Sequence, residues 1–557
     1  MSLKHSLVLS FCGLLAVATA MTGFVLSARA FTAERIADVN PSGTSWPSEF
    51  TIFGGNLVFR ADDGTGHEPW IWNGTDPPYP LEINPLGDSD PLGFTVFGTE
   101  LVFSAHDGSG SQAAAGGLEL QPSSDTCGLA ARDGAAAFAT EGLDVEPWAW
   151  VGAGAPRQIA DINAAGSSNP HGFVVFGGRL VFSAHDGTNY HLWSWNGSDP
   201  PAEIEPEPGG WYCSLLTEAA VHAGELIFRA HDGTGDEPWA WNGSDPPRKI
   251  AEINPTGTSN PNEFTVFGGE IVFSAFDGAH DGLWAWDGVG PPGKIADIGM
   301  SPSSVAHGFT VFGGELAFRA NESATSAELW AWNRANPPRK IADISPSKGS
   351  HPSPLVVLGG ELVFSGRDQA GSEPWAWNGA DPPRRLADIN LAGNSEPCEF
   401  TVFGNDVVFD AFDGYGWALW AWNGSDPPRR IIEADLGWAV GNEFSVFGDL
   451  LVFRGDDGDT GFEPWALRAS RQDLLDDLAD LRNEIMAMGL EQGFAKSLVA
   501  KLAPVEPALI EERLAFAADK LDAFIGVVLG QRGNRLSAEQ ADALIADAQA
   551  IIVLLPG

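Results

Sequence analysis

The chain has 557 residues, of which 44% are hydrophobic and 10% aromatic, so it can bury a sizeable core and wholesale disorder is excluded. Its 31 Lys and Arg against 74 Asp and Glu give a net charge of −43. This charge repels nucleic acid and anionic lipid headgroups, so we expect no nucleic-acid partner and a soluble protein suited to a salty or calcium-containing medium.

The first 30 residues have the pattern of a secretory signal peptide. Lys4 and His5 precede a long apolar run, and Ala28-Arg29-Ala30 has small residues at both key cleavage positions. We predict cleavage after Ala30, with Ala18-Thr19-Ala20 as a second candidate site and an uncleaved N-terminal anchor as the alternative. No later segment is long and apolar enough to span a bilayer, so we expect a secreted, cell-surface or periplasmic protein without a membrane span after cleavage.

Three cysteines follow the predicted cleavage site: Cys127, Cys213 and Cys398. An odd number in an exported protein permits at most one internal disulfide, and their spacings match no metal motif. Stability must therefore come from packing.

Internal repetition dominates residues 31–468. The second tryptophan of a Trp-x-Trp pair returns every 45 or 46 residues from Trp150 to Trp422. Each repeat has four short runs rich in Ile, Val, Phe, Trp and Thr, separated by Gly, Pro, Asn and Asp, which is typical of strands and turns. Four short strands in about 45 residues is the size of one β-propeller blade. We predict a mainly β fold, a propeller-like array of about nine four-stranded blades.

The spacing breaks once, where 78 residues separate Trp72 from Trp150. We interpret this interval as containing a repeat that has lost about a dozen residues, with Gly117–Leu120 in place of its Trp pair. Region 104–147 is then an irregular blade, and a degenerate tenth blade is an alternative to nine. One ring, two abutting rings and an open array stay open, although the even spacing after residue 150 favours one array.

Seventeen of the 21 tryptophans occupy these repeat positions, sixteen of them in pairs and Trp465 alone. Because residues i and i+2 of a strand share a face, we predict that Trp239 and Trp241 pack against the next blade, with ligand stacking as the alternative. The first segment of the array, 34–39, matches the fourth strand of a repeat, and its last segment, 463–467, matches the third strand. We therefore predict that the first strand completes the last blade and closes the ring.

An Asp-Gly pair follows the second strand of most repeats, as expected of a hairpin turn. The alternative is a calcium site, because Asp232, Thr234 and Asp236 have i, i+2, i+4 oxygen spacing and Glu237 is adjacent. The corresponding positions differ between repeats, which favours the turn. We predict no cofactor, with calcium as the alternative.

Basic residues follow the Pro-Pro phrase in four repeats. The pairs are Arg248-Lys249, Arg339-Lys340, Arg384-Arg385 and Arg429-Arg430. On a ring they would form a basic arc that contacts an acidic polysaccharide or a partner protein. The alternative, which we favour, is that these charges protect the sheet edges from pairing with other chains.

The repeated phrases resemble a known family. EPWAWNGS at 237–244 and LVFSAHDG at 101–108 resemble the ELWxxDGT repeat of bacterial secreted and surface proteins. The resemblance covers about 34–467 and implies a β-propeller-like extracellular protein of poorly defined function. Most copies here have Pro in place of Leu and carry a second Trp.

Residues 469–557 form a different kind of segment, with apolar residues at helical spacing. We predict a small bundle of three or four helices. Ser470-x-x-Asp473 and Ser537-x-x-Gln540 match capping boxes, and Gly489 and Gly533 match helix stops.

This C-terminal segment also resembles a known module. FAKSLVAKL at 494–502, KLDAFIGVV at 520–528 and the run at 536–552 resemble the FIMAH-type helical module of secreted prokaryotic proteins, including hydrolases. The resemblance implies export from a prokaryote, and no catalytic residue transfers from it.

The sequence contains no Gly-x-Ser-x-Gly, His-Glu-x-x-His or phosphate-binding glycine loop, so we predict no catalytic residues. The function we favour is a non-enzymatic extracellular or cell-surface binding or scaffold protein, with an extracellular protein or polysaccharide as its partner. The alternative is a polysaccharide-active hydrolase or lyase with its site at the central channel. An enzyme would need convergent polar groups that break the repeat, and region 104–147 is mostly Ala, Gly and Ser.

Overall fold

The computed structural model describes residues 31–85, 87–108, 144–204, 212–298, 306–323, 326–345, 349–431, 443–469, 471–510 and 513–555. The predicted signal peptide and Gly117–Leu120 lie outside these residues. Cys398 is buried at the start of an inner strand and is disulfide-bonded.

The strands of the described residues form nine antiparallel four-stranded sheets, which we number as blades 1 to 9. In chain order, β1 is Phe31–Arg35; blade 1 has β2 Ser48–Phe53, β3 Asn56–Asp62, β4 His67–Trp72 and β5 Tyr79–Pro80; blade 2 has β6 Leu92–Phe97, β7 Glu100–Ala105, β8 Glu146–Trp150 and β9 Arg157–Gln158; blade 3 has β10 His171–Phe176, β11 Arg179–His185, β12 Tyr190–Trp195 and β13 Ala202–Glu203. Blade 4 has β14 Tyr212–His222, β15 Glu225–His231, β16 Asp236–Trp241 and β17 Arg248–Lys249; blade 5 has β18 Asn262–Phe267, β19 Glu270–Phe276, β20 Asp281–Trp286 and β21 Gly293–Asp297; blade 6 has β22 His307–Phe312, β23 Glu315–Ser323, β24 Ser326–Trp332 and β25 Arg339–Ala342. Blade 7 has β26 Ser353–Leu358, β27 Glu361–Arg367, β28 Ser372–Trp377 and β29 Arg384–Arg385; blade 8 has β30 Cys398–Phe403, β31 Asp406–Phe412, β32 Trp417–Trp422 and β33 Arg429–Arg430; blade 9 has β34 Ser445–Phe447, β35 Leu450–Asp456, β36 Phe462–Ala469 and β1.

The first strand of each blade is the innermost. These inner strands contact one another around the ring, from β2 and β6 through to β26 and β30, and β34 contacts β2. The four-stranded blades therefore surround a central channel, and the short fourth strands lie at the outer edge. The predicted propeller of nine blades is confirmed.

The ring is closed by the N-terminal strand, as predicted, although the paired strand is β1 at 31–35 and the predicted segment was 34–39. β1 pairs antiparallel with β36, with Phe31 opposite Ala469 and Arg35 opposite Trp465. The contact continues beyond the strand, because the Ile36 amide donates to the Pro464 carbonyl at 2.8 Å. A shared cluster that includes Leu57, Phe59, Leu450 and Val452 packs blade 1 against blade 9.

The alternative of a tenth blade between Trp72 and Trp150 is wrong. Ala105 of β7 lies directly opposite Glu146 of β8, so both strands belong to blade 2. The long interval is an insertion between the second and third strands of one blade, and Trp148 and Trp150 are that blade's own Trp pair. A spacing of 78 residues fits either a shortened repeat or a lengthened loop, and only the strand pairing distinguishes them.

The Trp-x-Trp strands form the contacts between blades. Six second tryptophans lie against a phenylalanine of the preceding blade at ring-centre distances of 5.5 to 5.8 Å: Trp72–Phe447, Trp150–Phe53, Trp195–Phe97, Trp241–Phe176, Trp332–Phe267 and Trp377–Phe312. Trp239 and Trp241 share one buried cluster with residues of blade 3. The tryptophans are core residues, as predicted, but they pack on the preceding blade and not the following one.

The C-terminal segment forms five helices, one more than the larger predicted number: α1 Arg471–Ala487, α2 Gln492–Leu502, α3 Val505–Ile510, α4 Leu514–Gln531 and α5 Ala538–Val553. The capping box at Ser537 and Gln540 is confirmed by reciprocal hydrogen bonds, and Gly489 and Gly533 have the positive φ of helix ends. Ser470 lies outside the described residues. Within the described residues, no helix is long and apolar enough to cross a membrane.

The helical bundle packs on blades 8 and 9 in one continuous apolar cluster. Leu554 lies so close to Gly404 that a Cβ on this glycine would be 2.7 Å from the leucine Cδ1. The Asn405 amide also donates to the Asp477 carboxylate at 3.2 Å. The bundle therefore contacts the first hairpin of blade 8 as well as the apolar residues of blade 9.

Candidate functional site

Six buried glutamates hold the blades to the loops that lead to the next inner strand. In each case a serine hydroxyl donates to the carboxylate at 2.6 to 2.8 Å, in the pairs Glu68–Ser89, Glu146–Ser168, Glu237–Ser259, Glu328–Ser350, Glu373–Ser395 and Glu463–Ser45. Burial is the largest effect on these carboxyls, and it raises the pKa of Glu68, Glu146 and Glu463 to about 7 despite the hydrogen bonds. This repeated contact is structural, because it recurs at six of nine junctions.

The three carboxylates considered as alternative calcium ligands have separate protein partners. Asp232 accepts hydrogen bonds from the Lys249 ammonium at 2.6 Å and from the Thr234 amide at 2.9 Å. Asp236 faces the Arg229 guanidinium at 3.9 Å, and Glu237 is fully buried in its pair with a serine. The calcium site stays a prediction.

The eight basic residues lie on the outermost strands, and each is within ion-pairing distance of a carboxylate. The first member of each pair faces the acidic residue that begins the second strand of the same blade. These ion pairs are Arg248–Glu225 at 2.6 Å, Arg339–Glu315 at 2.8 Å, Arg384–Glu361 at 2.5 Å and Arg429–Asp406 at 3.6 Å. The second members pair with other aspartates: Lys249–Asp232 at 2.6 Å, Lys340–Asp343 at 3.5 Å, Arg385–Asp368 at 3.4 Å and Arg430–Asp413 at 3.5 Å. A basic arc at the rim stays a prediction, and its charges are balanced within each blade.

One side of the ring carries both the Asp-Gly turns and the loops between blades, and we call it the Asp-Gly face. The two kinds of segment are bonded to each other: the Asp62 amide donates to the Ser45 carbonyl, and the Ser89 amide donates to the His67 carbonyl. The opposite side carries the Gly-Gly hairpins and the Asn-Gly-x-Asp turns, in which Asn242 donates to Asp245 at 2.8 Å.

Aspartates of the Asp-Gly face are held in their ionised form. Burial alone would raise the pKa of Asp186, but hydrogen bonds from the Thr188 hydroxyl and from turn amides lower this pKa to about 2. The pKa of Asp277 is also lowered, chiefly by the ammonium of Lys294. The carboxylates of Asp186 and Asp277 therefore stay ionised into the acidic range, and that of Asp277 is paired with Lys294.

The channel wall carries carboxylates that the sequence analysis missed. Glu49, Glu263, Glu399 and Glu443 occupy one position of the inner strands and have φ between 54° and 69°, which is unfavourable for a residue with a side chain. Their carboxylates accept hydrogen bonds from backbone amides of the next blade. The Glu49 amide donates to the Glu443 carboxylate at 2.5 Å, and the Gly308 amide donates to the Glu263 carboxylate at 2.9 Å. The repeated glutamate or glycine before a Phe-Thr-Val-Phe-like run is the sequence pattern that could have identified this position of the inner strands.

Two of these channel carboxylates, Glu399 and Glu443, interact with one arginine, Arg454. Burial raises the pKa of Glu399 and of Glu443, while a hydrogen bond from the next backbone amide and the charge of Arg454 lower both values. The Arg454 guanidinium lies 5.3 Å from the Phe462 ring centre, so it is fixed on an aromatic surface. The arrangement places two protonatable carboxyls and a cation at the channel between blades 8, 9 and 1.

No family model matches the chain, and no curated protein matches it. Among solved structures, the chain is similar to the β-propeller domain of the Trilobed protease from Pyrococcus furiosus, with 10% identity, a TM-score of 0.32 and coverage of 70% of this chain and 98% of that one. It is also similar to Porphyromonas gingivalis dipeptidyl peptidase 4, with 9% identity, a TM-score of 0.43 and coverage of 74% and 65%. Pyrococcus horikoshii acylaminoacyl peptidase matches with 11% identity, a TM-score of 0.32 and coverage of 74% and 55%. The chain thus spans less than two thirds of the length of either peptidase, and at these values no activity transfers to it.

Proposed function

We propose that this protein is a non-enzymatic extracellular binding or scaffold protein that presents its Asp-Gly face to a positively charged partner protein. The observation that carries this proposal is an aspartate of the Asp-Gly turn, which accepts amides of its own turn at Asp63, Asp186 and Asp456 and whose pKa is lowered to about 2 at Asp186. The signal-like first 30 residues and the resemblance to ELWxxDGT repeats and to the FIMAH-type module support an extracellular location.

The charge distribution favours a basic partner over an acidic polysaccharide. The rim arginines and lysines have carboxylates of their own blade within ion-pairing distance, so an incoming polyanion would have to displace those contacts. Asp63, Asp186 and Asp456 instead bond backbone amides of their own turns. Their charge is available to a cationic partner, which long-range electrostatic attraction would guide to this face.

The test is a titration with a lysine-rich peptide at about 0.05 M salt, where surface charges are weakly screened. The test variant carries Asp63→Asn, Asp186→Asn and Asp456→Asn, which remove charge but keep an oxygen to accept the turn amides. The control variant, with Asp199→Asn, Asp245→Asn and Asp381→Asn, changes the same charge on the opposite side, where each aspartate accepts from an asparagine side chain. We expect the first variant to bind about three- to tenfold more weakly and the control to match the wild type. Equal effects of the two variants would contradict the proposal.

A second candidate function rests on the channel carboxyls. Glu443 and Glu399 have raised pKa values beside Arg454, which is the pattern of a general acid near an ionic partner. This favours a polysaccharide hydrolase or lyase at the channel. Assay of the protein and its Glu443→Gln variant on a panel of polysaccharides decides it: activity lost in the variant supports an enzyme, and no activity in the wild type removes this candidate.

A further inference from the structure

The junction between blades 1 and 2 brings three metal-ligating side chains together. His67 begins β4, Asp88 and Asp90 lie in the loop before β6, and one ligand atom from each residue lies within 4.8 Å of the other two. The corresponding residues at the next two junctions with a serine–glutamate pair are Val145, Ser167 and Asn169, and Asp236, Thr258 and Asn260. In the described part of the chain, this is the one group of its kind.

Backbone hydrogen bonds hold these three residues in place. Asp88 Oδ1 accepts the His67 amide at 3.0 Å and the Asp90 amide at 2.8 Å. The other oxygen, Oδ2, faces the His67 Nδ1 at 3.6 Å. Asp90 has a φ of 44°, and its Oδ1 accepts from Arg60 at 2.6 Å, which leaves Oδ2 for another ligand. The scaffold thus positions one imidazole and two carboxylates without using all of their ligand atoms.

A second, independent observation is the ring of His106. This side chain is only 2% exposed, and neither of its ring nitrogens has a hydrogen-bond partner among the residues that the structure describes. Its backbone amide donates to the Ser89 carbonyl at 3.0 Å, between the two aspartates, and both carboxylates act electrostatically on the ring. A buried imidazole without a partner is costly, and metal coordination is a common way of satisfying one.

We propose that His67, Asp88 and Asp90 bind a divalent transition-metal ion, with zinc as the representative ion, and that the His106 ring, which lies outside this group of three, turns toward the ion as the fourth ligand. Two imidazoles and two carboxylates form a four-ligand nitrogen and oxygen set that suits such ions better than calcium, which prefers oxygen ligands alone. Arg60 then holds Asp90 from the side away from the metal, as an outer hydrogen-bond partner does. His67, Asp88 and Asp90 are partly exposed, so an ion can reach the site from the Asp-Gly face.

The test is calorimetric titration of tag-free, metal-stripped protein with zinc, together with absorption spectra of the cobalt-loaded protein, which report nitrogen and oxygen coordination. We expect one equivalent of zinc in the wild type and binding at least about tenfold weaker in His67→Ala and in His106→Phe. The phenylalanine fills the buried volume of His106, and if that variant fails to fold, His67→Ala, at a partly exposed position, carries the test.

The matched control is His185→Ala. His185 occupies the same repeat position as His106, but its Nδ1 already accepts the Gly187 amide at 3.0 Å. This variant is expected to bind zinc as the wild type does. The proposal is overturned if the wild type binds no zinc, or if His67→Ala and His106→Phe both bind it with wild-type affinity.

Discussion

At the scale of single residues, the glutamate of each Glu-Ser pair is buried and depends on hydrogen bonds from the protein in place of water. Glu68 is 5% exposed and accepts the Ser89 hydroxyl at 2.7 Å and the Ile83 amide at 3.1 Å. Removing a carboxyl from water disfavours its charged form more than two or three hydrogen bonds favour it, so the pKa rises. The protonated glutamate is therefore the form that fits the folded state.

This raised pKa predicts how stability depends on pH. Glu68, Glu146 and Glu463 have a pKa of about 7 in the folded protein against 4.5 in the unfolded chain. Their contribution is fully present below about pH 4.5 and is lost as the pH rises through 7. A pKa change of this size corresponds to at most about 3 kcal/mol per group.

The measurement is thermal unfolding of the wild type and of the triple variant Glu68→Gln, Glu146→Gln, Glu463→Gln between about pH 5 and pH 8. Glutamine keeps an oxygen that accepts the serine hydroxyl but cannot ionise, so the variant should gain in Tm relative to the wild type as the pH rises. Three exposed glutamates, Glu82, Glu252 and Glu539, changed to Gln control for the net charge. Parallel pH profiles of wild type and triple variant would show that the glutamates are not the cause.

At the scale of elements, the Trp-x-Trp strand and the N-terminal strand determine how blades join. Six second tryptophans pack on a phenylalanine of the preceding blade, and the Trp72–Phe447 pair makes this contact across the closure. Aromatic pairs of this geometry contribute about 0.5–1.5 kcal/mol beyond their burial. β1 adds the pairing that blade 9 cannot supply from its own three strands.

Removal of β1 should therefore weaken the whole ring. Deletion of 31–35 leaves the β36 edge unpaired and exposes Phe403, on which Phe31 packs at a ring-centre distance of 6.0 Å. We expect the Tm, followed by circular dichroism, to fall by about 5 °C or more in a single cooperative transition.

The control for this deletion keeps the strand and changes its exposed side chains. Thr32→Ala with Glu34→Ala preserves the backbone pairing, because both side chains point to solvent. This variant is expected to melt close to the wild type. An unchanged Tm in the deletion would mean that β1 does not stabilise the ring.

At the scale of the whole molecule, much of the fold follows from the repeat, because one Trp pair marks one blade. Strand number, blade number and ring closure were predictable from the spacing and from the surplus strand at 34–39. The position of the insertion in blade 2 was not, because Leu118-x-Leu120 resembles a degenerate Trp pair in spacing alone. Only the pairing of Ala105 with Glu146 shows that one blade spans the interval.

The candidate sites were less predictable, because they depend on residues brought together from different blades. Glu443 accepts the amide of Glu49 across the closure, and a sequence gives no distance between positions almost 400 residues apart. Glu237, considered as a metal ligand from local spacing, accepts a hydrogen bond from Ser259 of the following loop, a contact that the local sequence does not reveal. His67 and His106 occupy variable repeat positions, and the repeat alone does not show that the loop between them brings Asp88 and Asp90 close to both.

The most direct test of the account is hydrogen–deuterium exchange of the full protein with and without the lysine-rich peptide. Turns 62–67 and 185–190 belong to the Asp-Gly face, whereas turns 73–78 and 196–201 lie on the opposite side. We predict slower exchange on peptide binding in the first two turns and no change in the other two. Protection confined to 73–78 and 196–201, or equal on both sides, would contradict the claim that the Asp-Gly face binds the partner.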